Sequence, residues 1–290
     1  MTDKQQIIAK LSSFKTLPVV AQRLLAVVSK PDADSSDVAR VIGLDMALTA
    51  NLLKAVNSAY FGFTKPVSSL TEATFKLGMN WVSQLAISSL VYANVKRPAT
   101  GYGQSAEDLW RHSAAVAVTS ENLCRLLTIK GGGAIFTAAL VHDIGKLALE
   151  EYVSEHLDDI QERVANEHIP FEHAERDVLG FDHAEVGAMI AEHWHFPSDL
   201  VQAVRWHHDP NSAASGQQAV DIVHVADALC MMQGIGLGHD GLLYRPCQES
   251  LQRLHITNAI IEKATSEMLD SLDQIESILN ETPVGVAVGR

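Results

Sequence analysis

His142 and Asp143 stand side by side in "AALVHDIGKLALEEY", residues 138–152, an otherwise apolar, helix-like run. An imidazole and a carboxylate on an inward helix face cost free energy unless something pairs with them. A cation shared with similar residues from other helices would do so. In chain order those residues are His112, His142, Asp143, His183, the consecutive His207 and His208, and Asp227. His112 lies in "LWRHSAAVAV", His183 opens "HAEVGAMIAEHW" and Asp227 lies in "VDIVHVADALC", each on or at the end of an expected helix. Helical bundles build metal sites from side chains on facing helices in this manner. Imidazole and carboxylate without thiolate suit Fe, Mn, Zn or Ni better than Ca or a structural Zn. Adjacent residues on a helix point about 100° apart, so His142 and Asp143 can bind one ion together, or Asp143 can bridge two. Asp108, four residues before His112, shares its helix face, but reads better as a solvated acid near a helix start.

Single dipeptides carry little. Of the three His-Asp pairs, at 142, 208 and 239, only the first lies in an apolar run with Gly-Lys just after it. His193 and His195 in "AEHWHFP" read as bland, and His224 as a partner of the site or a buried neutral imidazole. His156, His168, His173, His239 and His255 read as surface or loop residues. "GGG" at 131–133 and "GIGLG" at 234–238 lack the context of a phosphate-binding loop and read as loops. No G-x-S-x-G is present, so a serine-hydrolase elbow has no support.

The elements that must position these residues are helical nearly throughout. "PVVAQRLLAVVSK" has apolar residues at three- and four-residue spacing and ends at Pro31. Asp34 caps the next helix, "MALTANLLKAVNSAYF" follows, and Ser69 with Glu72 fits a capping box before a helix closed by Gly78. Asn80 is placed to cap "WVSQLAISSLVYANV". Beyond a loop, "KRPATGYGQS", helices are expected over roughly 105–128, 133–152, 154–168, 171–179, 183–195, 198–208 and 217–233. All thirteen His lie from His112 onward, which supports a division into 1–97 and 98–290. "NAIIEKATSEMLDSLDQIESIL" is amphipathic and reads as a helix docking on its own core, and the tail "TPVGVAVGR" as loose.

Bulk properties narrow the function. The 290 residues, 47% of them apolar, suffice for one large domain or two small ones. A net charge of −13 repels phosphate backbones and anionic leaflets alike, which argues against a nucleic-acid polymer or a membrane as partner. No apolar stretch is expected to span a bilayer. Three widely spaced cysteines read as free thiols in a reducing compartment, so a cytoplasmic location is expected.

Taken together, "HDIGK" with an upstream His and a downstream "HH" and Asp resembles the HD superfamily of metal-dependent phosphohydrolases. The N-terminal block, with "LP" at 17–18, "LLKAVNSAYFG" at 52–62 and "PVSSLTEATFKLGMNWV" at 66–82, resembles more closely the HDOD family, a bacterial signalling domain related to HD-GYP phosphodiesterases. "HAEVGAMIAEHWHFP" and "RWHHDP" extend the likeness over roughly 12–230. It implies an all-α fold, with an N-terminal helical subdomain packed on an HD-type bundle. It implies metal ligation by His112, His142, Asp143, His183, His207, His208 and Asp227. It also implies a further ligand at the place of Asp108, and Lys146 near a substrate phosphate beside a catalytic Asp143. The implied cofactor is a divalent metal, Fe or Mn before Zn or Ni, as one or two ions. The implied partner is a signalling protein, or else a nucleotide or other phosphorylated small molecule. The Gly-Tyr-Pro segment of HD-GYP enzymes is absent, since the chain reads "DPNSAASGQQ" after "HH". Many HDOD domains have lost part of the metal set and act as regulatory modules, whereas this chain keeps every matching position.

Overall fold

The first backbone N–H groups of a helix have no partner inside it, and this chain meets several of them with side chains. Asp34 accepts from Ser36 and Asp37 N–H at 2.8 and 2.9 Å, and Asp37 reaches back to the Asp34 N–H. Asp45 accepts from Leu48 N–H, and Ser69 from Glu72 N–H. The Glu72 carboxylate takes the N–H of Ser68, one residue before the expected box partner. Asn80 falls inside a helix that already begins at Met79. The computed structural model describes residues 18–281 except 29, 31, 58–60, 62, 96 and 240–243, so Pro31 and the tail from 282 lie outside the described residues.

The N-terminal block comprises α1 (Val19–Val28), α2 (Ser35–Ile42), α3 (Met46–Val56), α4 (Leu70–Leu77) and α5 (Met79–Val95). The second block comprises α6 (Ala106–Leu126), α7 (Gly132–Val141), α8 (Ile144–Glu155), α9 (Leu157–Glu167) and α10 (Phe171–Leu179). It continues with α11 (His183–His193), α12 (Ser198–Arg205), α13 (Gln217–Met232), α14 (Gln248–Arg253) and α15 (Asn258–Glu281). No strand occurs among the described residues, and the fold is all-α. The long α6 is the central post, with α7, α13 and α15 packed around it, and α5 joins the blocks by packing on α7. One apolar core runs from Leu24 and Ile42 through Val82 and Ala115 to Val225 and Met268. In α15 the buried Ala264, Met268 and Leu272 belong to that core, so the apolar stripe faces the bundle as far as Leu272.

Three expectations change. The stretch 132–155 is long and apolar enough to cross a membrane by length and composition, yet 83% of its apolar window is buried in the bundle. It is also two helices, because the chain breaks at His142–Asp143. A continuous helix would aim these neighbours about 100° apart, and the break brings His142 Nε2 and Asp143 Oδ2 to 3.5 Å. The helix expected to 208 stops at Arg205, leaving His207 and His208 in a bend.

α13 is anchored by an ion pair between the buried Asp221 and the exposed Arg253. Asp221 accepts from Arg253 Nε and Nη2 at 2.8 and 2.6 Å and from Ser250 Oγ at 2.6 Å, tying α13 to α14. Burial opposes the Asp221 charge, but these donors outweigh it and hold its pKa below the usual carboxylate value. A depressed folded-state pKa adds stability above the unfolded value, about 3.9, and loses it as pH falls through the folded value. Arg253→Ala is therefore expected to lower unfolding free energy by about 1.5–3 kcal/mol at pH 7. The gap from wild type should shrink below pH 4, as measured by urea melts across pH.

Candidate metal centre

Three helices and two irregular segments supply the site. α6 contributes His112, the α7–α8 break His142 and Asp143, α11 its first residue His183, the bend after α12 His207 and His208, and α13 Asp227. Asp143 takes the N-cap position of α8 yet makes no capping hydrogen bond, which leaves its carboxylate for the interior.

Four of the five imidazoles, all but His208, are oriented from behind. A carbonyl oxygen can only accept, so the ring nitrogen facing it carries the proton. His112 Nδ1 donates to the Ile235 carbonyl at 3.1 Å, His142 Nδ1 to Ala139 at 2.7 Å and His207 Nδ1 to Val204 at 2.7 Å. His183 Nδ1 donates to Glu175 Oε2 at 2.8 Å, and Glu175 also accepts from the His183 N–H and from Tyr102 Oη. Such partners behind a ring fix its tautomer and leave the Nε2 lone pair for a metal.

Those Nε2 atoms converge on two carboxylates. Asp143 Oδ2 lies 3.6 and 3.5 Å from Nε2 of His112 and His142, while Oδ1 lies 3.5 and 3.8 Å from Nε2 of His183 and His207. Asp227 Oδ1 is 3.1 Å from His112 Nε2 and 3.9 Å from His142 Nε2. His183 and His208 bring their Nε2 atoms to 2.9 Å. Two groups result, His112–His142–Asp227 and Asp143–His183–His207–His208, each with donor atoms within 4.8 Å of one another. Asp143 presents one oxygen to each.

The residues fit a divalent cation. Buried polar atoms are rarely left without a hydrogen bond. Yet His142 Nε2, Asp143 Oδ2, His207 Nε2 and His208 Nδ1 are buried without one. Lys146 Nζ lies 2.7 Å from Asp143 Oδ2 as an ion pair, but no well-aligned hydrogen bond reaches that oxygen. Two nitrogens each about 2.1 Å from one ion sit about 3.0 Å apart at a right angle and about 3.4 Å apart at the tetrahedral angle. Several of the observed separations are of that size.

The electrostatics favour the metal-binding form at five of the seven residues. Burial alone would raise the Asp143 pKa, but His142, Lys146, His183 and His112 hold it well below the usual carboxylate range. Burial likewise opposes ionisation of Asp227, and the hydrogen bond from His112 prevails, placing its pKa at about 2. Burial and then the neighbouring His142 push His207 down to about 3. Burial also lowers His142, and burial with the adjacent His207 lowers His208. In His183 burial is overcome by the Glu175 carboxylate, which raises its pKa to about 9, and in His112 by the hydrogen bond to Asp227. Ionised carboxylates and neutral imidazoles are the ligating forms, so a cation must displace the proton that His183 and His112 hold more tightly than a free imidazole does.

All seven residues proposed as ligands from the sequence thus lie in one of the two groups. Asp108 does not: it is exposed and completes a capping box with Ser105 at the start of α6. Lys146 is buried against Asp143, with Nζ 5.6 Å from the centroid of the Tyr102 ring. His193 and His195 are exposed.

Two contributors went unseen in the sequence. Glu175 stands in "FEHAERDVL", where an acid reads as surface. The "GIGLG" loop orients His112 through the Ile235 backbone, and Gln104 Nε2 holds the next carbonyl, that of Gly236, at 2.6 Å. A Cβ at Gly236, whose φ is +83°, would lie 2.3 Å from His112 Nδ1. Gly236→Ala is expected to displace His112 and weaken metal binding about 10- to 100-fold. Gly234→Ala, at φ +78° with no atom closer than 4.0 Å, carries the backbone strain alone. Titration of both variants with zinc separates the two effects.

A family model described as the HDOD domain matches residues 14–210. An uncharacterised protein of Treponema pallidum is 25% identical over 204 residues, covering 69% of this chain and 38% of that protein, so the chain spans well under half of that relative. An HDOD domain protein of unknown function from Geobacter sulfurreducens shares the fold over 96% of this chain and 95% of its own, at TM-score 0.66 and 21% identity. A Shewanella amazonensis protein provisionally described as a phosphohydrolase does so over 95% and 97%, at 0.67 and 23%. One from Marinobacter aquaeolei, provisionally described as a signal transduction protein, does so over 97% and 65%, at 0.74 and 20%. With the family model spanning well over half of the sequence, this chain belongs to the HDOD family.

Proposed function

We propose that the chain is a signal-transduction module built around an intact HD-type metal centre, with iron(II) or manganese(II) as its resident cation and zinc or nickel as substitutes. The observation that carries this reading is the enclosure of the donors. His112, His142, Asp143, His183, His207 and Asp227 are at most 2% exposed, and only His208 reaches intermediate exposure. Catalytic metal sites keep an open position, whereas structural ones are closed. A centre this enclosed supports a role in holding α6, α8, α11 and α13 in one arrangement that a signalling protein or a phosphorylated small molecule reads. The two oxygens of Asp143, each facing a separate group, favour two ions over one.

A second reading, a metal-dependent phosphohydrolase, draws on the donor set. When bound, a divalent cation supplies Lewis-acid polarisation of a phosphoryl oxygen and acidifies water. Asp143 would hold the donors of both groups in register, Lys146 would offset its charge, and Glu175 would keep the His183 lone pair directed inward. His208 is the most exposed of the seven donors. The test uses anaerobically metal-loaded protein on phosphomonoesters, nucleotides and cyclic dinucleotides, beside pull-downs with immobilised protein. Metal-dependent capture of a partner, with turnover no higher than in Asp143→Ala, supports the module. Turnover clearly above that variant, without metal-dependent capture, overturns it in favour of the hydrolase.

A further inference from the structure

His207 and His208 lie beyond the end of α12, where no helical hydrogen-bond ladder fixes the peptide that joins them. That peptide is held from the other side. The His207 carbonyl accepts from His224 Nδ1 at 2.6 Å and from Tyr244 Oη at 2.9 Å. His224 Nε2 in turn accepts from the Cys247 N–H at 2.7 Å, so His224 is a neutral imidazole with both nitrogens used. The Tyr244 ring stands edge-on to His208, with centroids 5.0 Å apart at 82°, and edge-on to His224 at 5.6 Å. An aromatic edge against a ring face is a favoured and directional contact. The peptide plane and the azimuth of the His208 ring are therefore set by residues of α13 and of the segment before α14. Both supports lie beyond residue 210, where the family match ends.

We propose that His224 and Tyr244 are positioning residues for the His207–His208 pair. Together they set the geometry of the Asp143–His183–His207–His208 group. This inference rests on the metal-centre reading above. Neither residue is counted among the donors: His224 has no free nitrogen, and Tyr244 Oη meets the His207 carbonyl, His224 Nδ1 at 2.9 Å and the Asp227 carboxylate. Losing either support frees the bend, and partners behind ligating residues typically control affinity by about 10- to 100-fold.

The test is a cobalt(II) titration of the full-length protein, read by visible d–d absorption, with thermal melts of the metal-free proteins alongside. Tyr244→Phe removes one hydroxyl and keeps the ring. It is expected to leave the metal-free melt near wild type, weaken cobalt binding several-fold and shift the d–d bands. His224→Leu should weaken binding about 10- to 100-fold. His224→Gln, which keeps a donor, should recover part of that loss. Wild-type affinity and bands in both Tyr244→Phe and His224→Leu would overturn the positioning role and leave the metal centre standing. Lowered metal-free stability with unchanged bands would reduce the pair to ordinary packing and overturn it as well. No cobalt uptake by the wild type would overturn the metal reading itself, and this inference with it.

Discussion

Alanine at position 145 is expected to lower the melting temperature of the metal-free protein by about 10 °C or more, or to leave it insoluble. Gly145 opens α8 where it crosses the start of α11. A Cβ there would sit 1.9 Å from the His183 carbonyl oxygen and 2.7 Å from the Gly187 nitrogen. Both obstructing atoms are backbone, so no rotamer change relieves the overlap and the helices must separate. Overpacking a tight core costs about 1–3 kcal/mol and occasionally more. Here the upper end applies, and each kcal/mol moves the melting point of a chain this size by about 2–4 °C. The effect reaches the metal centre because His183 is the residue struck. A melt within 2 °C of wild type, by circular dichroism, would show that the two helices do not meet this closely.

Asp143→Asn is expected to weaken cation binding at least about 100-fold while leaving the volume of the side chain unchanged. The carboxylate faces four imidazoles, with one oxygen for each pair, and pairs with Lys146. The neutral amide takes the negative charge from both groups at once. It also leaves the Lys146 ammonium, only 2% exposed, without its carboxylate. Removing one partner of a buried ion pair costs about 3–5 kcal/mol, so the metal-free variant should also melt earlier than wild type. The double variant Asp143→Asn with Lys146→Met separates the two effects. It should recover much of the metal-free stability and none of the metal affinity, which a double-mutant cycle in urea with parallel zinc titrations would measure. Recovery of metal binding in the double variant would assign the loss to Lys146 rather than to the missing carboxylate.

The helices were legible because apolar spacing and capping residues are local signals. Asp34 and Ser69 start helices as their types suggest, and α10 occupies the expected 171–179. The residues of the two groups were legible because imidazoles and carboxylates amid apolar residues need a reason to be there. What the sequence hid was set by tertiary contact. No Pro announces the break at His142–Asp143, and the one Gly of the run 138–152, Gly145, lies inside the helix that follows it. Glu175 is as acidic as its exposed neighbours, and only the fold shows that it is fully buried behind His183. Ile235 acts through its carbonyl, which every residue type carries. Tyr244 reaches the His207 carbonyl from 37 positions away.

The most direct test of the account is the metal content of purified full-length protein, loaded anaerobically with iron(II), manganese(II) or zinc, dialysed, and measured by elemental analysis. The account predicts at least one ion retained per chain, approaching two if Asp143 serves both groups. Less than a tenth of an ion per chain with every metal would contradict it, and the buried imidazoles and carboxylates would then need another partner.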